Sequence, residues 1–282
     1  VTAFVTYDQL SSDIDSLASV LRGKINGVAG VERSGMIPAY MLGLALNLPV
    51  VSYSEFLHTR FRHASKGNRP CDCRPTGGTV AVIDDSLNSG SQMIECQSEW
   101  RQSVVVDWSP IYVAVYKDGR SPNSVHLHAR AVNKPRFFEW NIWHHADLSS
   151  AMLDMDGILC HDPQVIDDDG EAYRQAIINA KPRHIPGVKF DSICTCRLER
   201  WRPETEEWLR ANGVKYRNLI MGPWASAEER RRTASHGWWK GEKYSDSPCD
   251  LFIESSSIQA ADIWRRVRQE KPVLDWERKR ML

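Results

Sequence analysis

The stretch Val80-Ala81-Val82-Ile83-Asp84-Asp85-Ser86-Leu87-Asn88-Ser89-Gly90-Ser91 constrains this chain more than any other. Its apolar start makes a short buried strand. Two carboxylates stand at the strand's carboxyl end, and small polar residues then turn into a helix. In an open α/β sheet, ligands bind just outside the carboxyl ends of the strands. The N–H groups of such a turn, with a helix N-terminus behind them, favour a phosphate. Two adjacent carboxylates repel a phosphate, so they suit another task, the binding of vicinal sugar hydroxyls with Mg²⁺ nearby. The local chemistry is that of a sugar phosphate, with hydroxyls on Asp84 and Asp85 and phosphate on Ser86 to Ser91.

An apolar run, two acids and Ser/Thr-x-x-Ser/Thr-Gly-Ser/Thr together resemble the 5-phosphoribosyl 1-pyrophosphate (PRPP) motif of the type I phosphoribosyltransferases. The resemblance assigns Asp84, Asp85, Ser86, Leu87, Asn88, Ser89, Gly90 and Ser91 to PRPP. The bland reading is an ordinary strand–turn–helix with acidic surface residues. A binding-only relative, such as a purine-sensing repressor domain, shares the motif.

Length sets the next bound. A chain of 282 residues suggests two domains. Its net charge of zero gives no bulk electrostatic case for nucleic acid or a membrane surface. No apolar run approaches the roughly 20 residues of a membrane span, and no signal peptide opens the chain. Seven cysteines without a C-x-x-C fit free thiols in a reducing cytoplasm. The C-x-C pairs Cys71/Cys73 and Cys194/Cys196 lack a second half, so no zinc site is expected.

In chain order, Leu10, Ile14, Leu17 and Leu21 recur at helical spacing and predict a helix over 7–22, capped by Thr6. A strand over Gly27–Val31, a helix from Met36 to about Leu46 and a strand over Leu48–Ser52 complete a β-α-β unit. The loop inside it reads Gly30-Val31-Glu32-Arg33-Ser34-Gly35-Met36-Ile37-Pro38-Ala39. It resembles the pyrophosphate loop of the same family, which assigns Arg33, Ser34 and Gly35 to pyrophosphate. The arginine forks onto an oxygen pair, and Ser34 and Gly35 let backbone approach. The family often carries a non-proline cis peptide here, at or next to Arg33–Ser34. Relatives often have Pro where Glu32 stands, and an acid beside pyrophosphate helps only if it points away or helps hold Mg²⁺.

Residues 54–79 show no clean period and read as a mobile, basic, exposed loop with His63, Arg60, Arg62, Lys66, Arg69 and Arg74. The resemblance puts a flexible catalytic loop there, closing over PRPP, without choosing among the cations. Helix is expected from Gln92 to about Arg101, and strand over Ile111–Tyr116. A turn follows at Lys117-Asp118-Gly119-Arg120-Ser121-Pro122. Residues 123–148 are rich in His and aromatics. Phe138 or Trp140 stacking on a base and an aromatic seam between domains are both open readings of that segment.

Ala151-Met152-Leu153-Asp154-Met155-Asp156-Gly157 starts a second unit. A hydrophobic strand ending in Asp-x-Asp-Gly resembles motif I of the HAD (haloacid dehalogenase-like) phosphatases. That resemblance makes Asp154 the nucleophile and Asp156 the acid and base. It makes Thr195, at the end of the strand 190–194, the phosphate-binding hydroxyl, and Lys240 the conserved-type lysine, with Lys243 as the other candidate. Glu254 ends a later strand and stands for the metal-binding acids. Mg²⁺ is then held by Asp154, Asp156 and Glu254. The family usually offers two acids at that last motif, whereas here Glu254 is followed by Ser255, Ser256 and Ser257. Residues 161–186 leave room only for a small insert around a helix near 170–180, so the cap is small or absent and the neighbouring domain is a candidate lid.

The expected fold is therefore α/β, with two doubly wound parallel-sheet domains. Residues 1–147 resemble a phosphoribosyltransferase and 148–282 a HAD-like phosphatase. The fusion implies a bifunctional enzyme of nucleotide salvage in the cytoplasm. It would take PRPP and a nitrogenous base to a nucleotide and pyrophosphate, then hydrolyse a phosphate monoester, possible substrates including that nucleotide. The alternative is a PRPP or nucleotide sensor with a degraded, structural second domain. Family members often dimerise through the first domain.

Overall fold

Structure is described for residues 2–62, 75–103, 105–120, 124–165, 169–233 and 235–282 of a computed structural model. His63, Lys66, Arg69, Arg74, the Cys71/Cys73 pair and the Ser121-Pro122 end of the expected turn lie outside them. The residues divide into two units, Val5–Arg136, and Phe137–Leu282 with Val1–Phe4. The division falls ahead of the expected 147/148 because Phe137, Ile142 and Leu148 enter the second unit's core.

After β1 (Ala3–Val5), the expected Thr6 cap starts α1 (Tyr7–Leu21), with the Thr6 hydroxyl accepting from Gln9 N–H at 3.2 Å. The predicted stripe Leu10, Ile14, Leu17 and Leu21 is the buried face. Next come β2 (Gly27–Gly30), α2 (Met36–Leu46) and β3 (Val50–Ser52). Tyr53–Thr59 is helix α3, where an aperiodic loop is expected. Tyr53 and Phe56 are buried, and Phe56 stacks on Trp100 at 5.5 Å and meets Trp108 edge-on. Two turns anchored by aromatic packing are too short to show a hydrophobic period. Arg60 caps that helix, donating to the carbonyls of Phe56 and Leu57.

β4 (Gly78–Leu87), α4 (Ser91–Gln102), β5 (Trp108–Lys117) and β6 (Leu127–Ala131) complete the unit. Its sheet is wholly parallel in the order β3-β2-β4-β5-β6. The chain steps outward from β2 to β3, then returns to β4 on the other side of β2. The order thus reverses between β2 and β4, which is where open α/β sheets bind ligands. β7 (Arg136–Phe138) pairs with β1.

The second unit runs β8 (Ala151–Leu153), α5 (Glu171–Ile178), β9 (Phe190–Leu198), α6 (Arg202–Ala211), β10 (Tyr216–Gly222), α7 (Ala227–Thr233), α8 (His236–Ser245), β11 (Leu251–Glu254), α9 (Ser257–Arg266), β12 (Val273–Asp275) and β13 (Arg280–Met281). Its sheet order is β10-β9-β8-β11-β12-β13, parallel except for the terminal β13. Here the order reverses between β8 and β11. Between β8 and β9, α5 is the small insert expected there. Phe138 stacks on Trp140 at 4.9 Å, and Trp143 stacks on His184 at 4.5 Å, all within this unit. No described helix is long and apolar enough to cross a membrane. Among the described cysteines, Cys96, Cys160, Cys194, Cys196 and Cys249 are free and buried.

Candidate active sites

At the reversal of the first sheet, the backbone after β2 stays bonded to β4 for one more residue, Val31 N–H to Ile83 O at 2.9 Å. It then turns through Glu32–Gly35 into α2. The peptide Glu32–Arg33 is cis, next to Arg33–Ser34 and within the expected position. Gly35 is pressed onto the turn's own start and onto β4. A Cβ there would lie 2.5 Å from Val31 O and 2.8 Å from Ile83 O, so only glycine fits. The Ser34 hydroxyl donates to Asp85 Oδ1 at 3.1 Å. That bond joins the two motifs that the sequence sets about fifty residues apart (|i−j| = 51). Arg33 is exposed, and its side chain makes no hydrogen bond or ion pair among the described residues. Glu32 accepts from Ser54, through its N–H at 3.2 Å and its hydroxyl.

Asp84 and Asp85 are 5% and 3% exposed. Burial first, and then the neighbouring Asp85 carboxyl, raise Asp84 to about 8. β4 continues through Ser86 and Leu87, which lie beside Tyr116 and Lys117 of β5. The turn expected from Ser86 therefore begins at Asn88, because a long β5 carries the ladder two residues further. Asn88, Ser89 and Gly90 (φ +78°) make the turn, Ser91 opens α4, and the hydroxyls of Ser89 and Ser91 lie 2.8 Å apart. α4 starts without a side-chain cap, which leaves first-turn N–H groups for an anion. The buried Arg136 grips the end of β4, donating to Leu87 O at 2.5 Å and Val132 O at 2.6 Å. Its signal in the sequence is weak, a single arginine beside Pro135 and two phenylalanines.

At the reversal of the second sheet, Asp154 follows β8 and Glu254 ends β11. Lys240 of α8, 2% exposed, reaches between them, with Nζ 2.8 Å from Asp154 Oδ1 and 2.8 Å from Glu254 Oε2. Burial and Glu254 push the Asp154 carboxyl up, with Lys240 opposing. Burial disfavours the Lys240 charge, but Asp154 and Glu254 more than restore it. Lys243, the other candidate lysine, lines a separate groove with Asp191 and Arg217. Thr195 lies at the cleft with Asp154 and Asp156, in a cavity of about 260 Å³.

Asp156 turns elsewhere. Its carboxylate takes a forked contact from Arg197, with Nη2 at 2.5 Å and Nε at 3.1 and 3.2 Å. Arg197 is 1% exposed. Burial disfavours its charge, and Asp156 raises its pKa above the ordinary value. The sequence reading passes over Arg197. An arginine inside the strand Phe-Asp-Ser-Ile-Cys-Thr-Cys-Arg-Leu is a usable signal, since a buried cation requires a carboxylate partner.

Among the described residues, no three His, Cys, Asp or Glu gather as a metal cluster. The expected trio Asp154, Asp156 and Glu254 is not assembled through its carboxylates, because Asp156 is held by Arg197. Its backbone oxygen is well placed instead. Asp154 Oδ2, Asp156 O and Glu254 Oε1 lie 3.2, 3.0 and 3.3 Å from the Ser255 hydroxyl. One hydroxyl has one proton to give, so three acceptors around it form a surplus of hard oxygens. That donor set fits Mg²⁺, which takes one or two carboxylates and keeps several waters. Gly157, at φ +81°, closes the loop. A Cβ on it would lie 2.5 Å from Ser255 Cβ.

The chain is thus an α/β protein of two parallel-sheet units, with charged groups gathered where each strand order reverses. No protein-family model matches it. It is 33% identical over 97 residues to a xanthine-guanine phosphoribosyltransferase of Gluconobacter oxydans (strain 621H), over 31% of this chain and 56% of that protein. The chain therefore spans about half the length of this curated relative. Among solved structures it is similar to a purine phosphoribosyltransferase from Pyrococcus horikoshii Ot3, at 20% identity and TM-score 0.37, over 49% of this chain and 93% of that one. It is also similar to a Helicobacter pylori xanthine-guanine-hypoxanthine phosphoribosyltransferase, at 14% identity and TM-score 0.39, over 50% and 93%.

Proposed function

We propose that the unit Val5–Arg136 transfers ribose 5-phosphate from PRPP to a purine base, and that the unit Phe137–Leu282 hydrolyses phosphate monoesters. The observation that carries the first half is the Ser34–Asp85 hydrogen bond, which joins a pyrophosphate-type loop to an acid pair. The 33% identity to a xanthine-guanine phosphoribosyltransferase supports a purine as acceptor. In the reaction a base nitrogen attacks C1 of the ribose and gives up its proton to solvent, and the bond from C1 to pyrophosphate breaks. Arg33, exposed beside the site, takes the leaving pyrophosphate. Asp84 and Asp85 bind the ribose hydroxyls, and the charge that the pair retains is set against the oxocarbenium-like ribose. Ser89, Ser91 and the first turn of α4 hold the 5-phosphate.

In the second unit Asp154 attacks phosphorus, the ester bond breaks, and water then hydrolyses the aspartyl-phosphate. Mg²⁺, when bound to Asp154, the Asp156 carbonyl and Glu254, offsets charge between carboxylate and phosphate. Lys240 holds Asp154 and Glu254 together, and Arg197 fixes the orientation of the Asp156 carboxylate that serves as acid and base. Buried free thiols suit a reducing compartment.

Two assays test the halves separately. PRPP, Mg²⁺ and xanthine or guanine should yield pyrophosphate, and Asp85→Asn should slow release by about a hundredfold, as loss of a preorganised charge does. Pyrophosphate release that Asp85→Asn leaves unchanged contradicts the first half. Hydrolysis of p-nitrophenyl phosphate should require Mg²⁺ and vanish in Asp154→Asn. Persistence of that hydrolysis in the variant contradicts the second half.

A further inference from the structure

Glu32 stands inside the pyrophosphate-type loop, next to Arg33, where an unengaged carboxylate would repel the ligand. Its contacts give it a different role. Oε1 accepts from the N–H of Ser54 at 3.2 Å and from the Ser54 hydroxyl. Ser54 is the second residue of α3, and its hydroxyl lies 3.2 Å from that of Ser52, which accepts from Glu55 N–H at 3.2 Å. The Glu32 carbonyl accepts from Gln92 Nε2 at 2.9 Å, and Gln92 is in the first turn of α4 behind the phosphate turn. One residue of the loop is therefore tied to the two helices that flank it.

We infer that Glu32 is a positioning residue. Its carboxylate, turned onto Ser54, and its carbonyl, held by Gln92, fix the backbone that presents Arg33, Ser34 and Gly35 to pyrophosphate. Burial alone would raise the Glu32 pKa, but the hydrogen bonds from Ser52 and Ser54 prevail and lower it. The carboxylate is thus a committed acceptor at neutral pH. Its removal changes two things of opposite sign. A nearby negative charge disappears, which by Coulomb's law strengthens binding of an anion. The tie to α3 also disappears, which loosens the loop and weakens binding. The inference says that the second effect prevails, and it rests on the reading of this loop as a pyrophosphate site.

The test is calorimetric titration of the full chain with Mg²⁺-pyrophosphate, for wild type, Glu32→Ala, Glu32→Gln and Ser54→Ala. Glu32→Ala should bind about tenfold more weakly, the scale of lost hydrogen bonds to a charged group. Glu32→Gln keeps an acceptor oxygen for Ser54 while losing the charge, so it should bind as well as wild type or tighter. Ser54→Ala should weaken binding in the same direction as Glu32→Ala. Tighter binding by both Glu32 variants would make Glu32 a bystander acid and overturn the inference. Equal losses in Glu32→Ala and Glu32→Gln would make it a metal ligand and overturn it too. Wild type that fails to bind pyrophosphate removes the reading of the loop itself, and the inference with it.

Discussion

A carboxylate withdrawn from water needs a partner, and the buried Asp84 and the half-buried Asp156 find different ones. Asp84 is buried and its chief neighbour is another acid, so burial first and Asp85 second raise its pKa to about 8 from an ordinary 3.8. An acid with a raised folded pKa holds its proton more tightly in the folded state. Unfolding then releases the proton, and stability falls as pH climbs from about 4 to about 8. Asp84→Asn removes that loss. It should melt higher than wild type, with a gap that is small at pH 5 and largest at pH 8.5. Each kcal/mol recovered is worth roughly 2–4 °C. The same substitution should abolish phosphoribosyl transfer, and a variant melting below wild type at pH 8.5 would contradict the burial argument. Asp156 instead has the buried Arg197. Arg197→Met leaves that half-buried carboxylate without its fork and should cost about 1–3 kcal/mol, the scale of a polar group left without its hydrogen-bond partner. Arg197→Lys keeps a charge without the fork, so it should fall between wild type and Arg197→Met in urea denaturation and in p-nitrophenyl phosphate hydrolysis. Equal stability of Arg197→Met and wild type would remove Arg197 from the account.

At the scale of elements, the loop between β8 and its insert depends on Gly157. Its φ of +81° and the 2.5 Å approach of Ser255 Cβ leave no room for a side chain. Gly157→Ala should destabilise the protein by roughly 1–3 kcal/mol, as overpacking does, and should lose hydrolysis by displacing Ser255 and the oxygens around it. A variant with wild-type hydrolysis would show that this packing does not set the site. Much of this scale is legible in the sequence. The period of Leu10, Ile14, Leu17 and Leu21 marks α1, and apolar runs closed by acids mark β4, β8 and β11. α3 is not legible, because Phe56 is anchored by Trp100 and Trp108 from distant segments. The extension of β4 to Leu87 depends on β5 as a partner, which no local pattern carries. Arg197 and Arg136 become legible only when each buried cation is asked where its acceptor lies. The forks onto Asp156 and onto Leu87 O answer that in three dimensions.

For the whole molecule, two parallel sheets repeat one principle. Each places its charged residues where strand order reverses, and each gathers them from both sides of the crossing. The chemistry proposed for the two units is complementary, since the first would make a phosphate monoester and the second would consume that class of compound. Removal of the product would draw a reversible transfer forward. The central claim is that one chain performs both steps in sequence. Product mass spectrometry tests it most directly, with wild type and Asp154→Asn each incubated with PRPP, Mg²⁺ and a purine base. The account expects a nucleoside from wild type and its 5′-monophosphate, accumulating in place of the nucleoside, from Asp154→Asn. The same dephosphorylated product from both proteins, or a base that neither consumes, would contradict it.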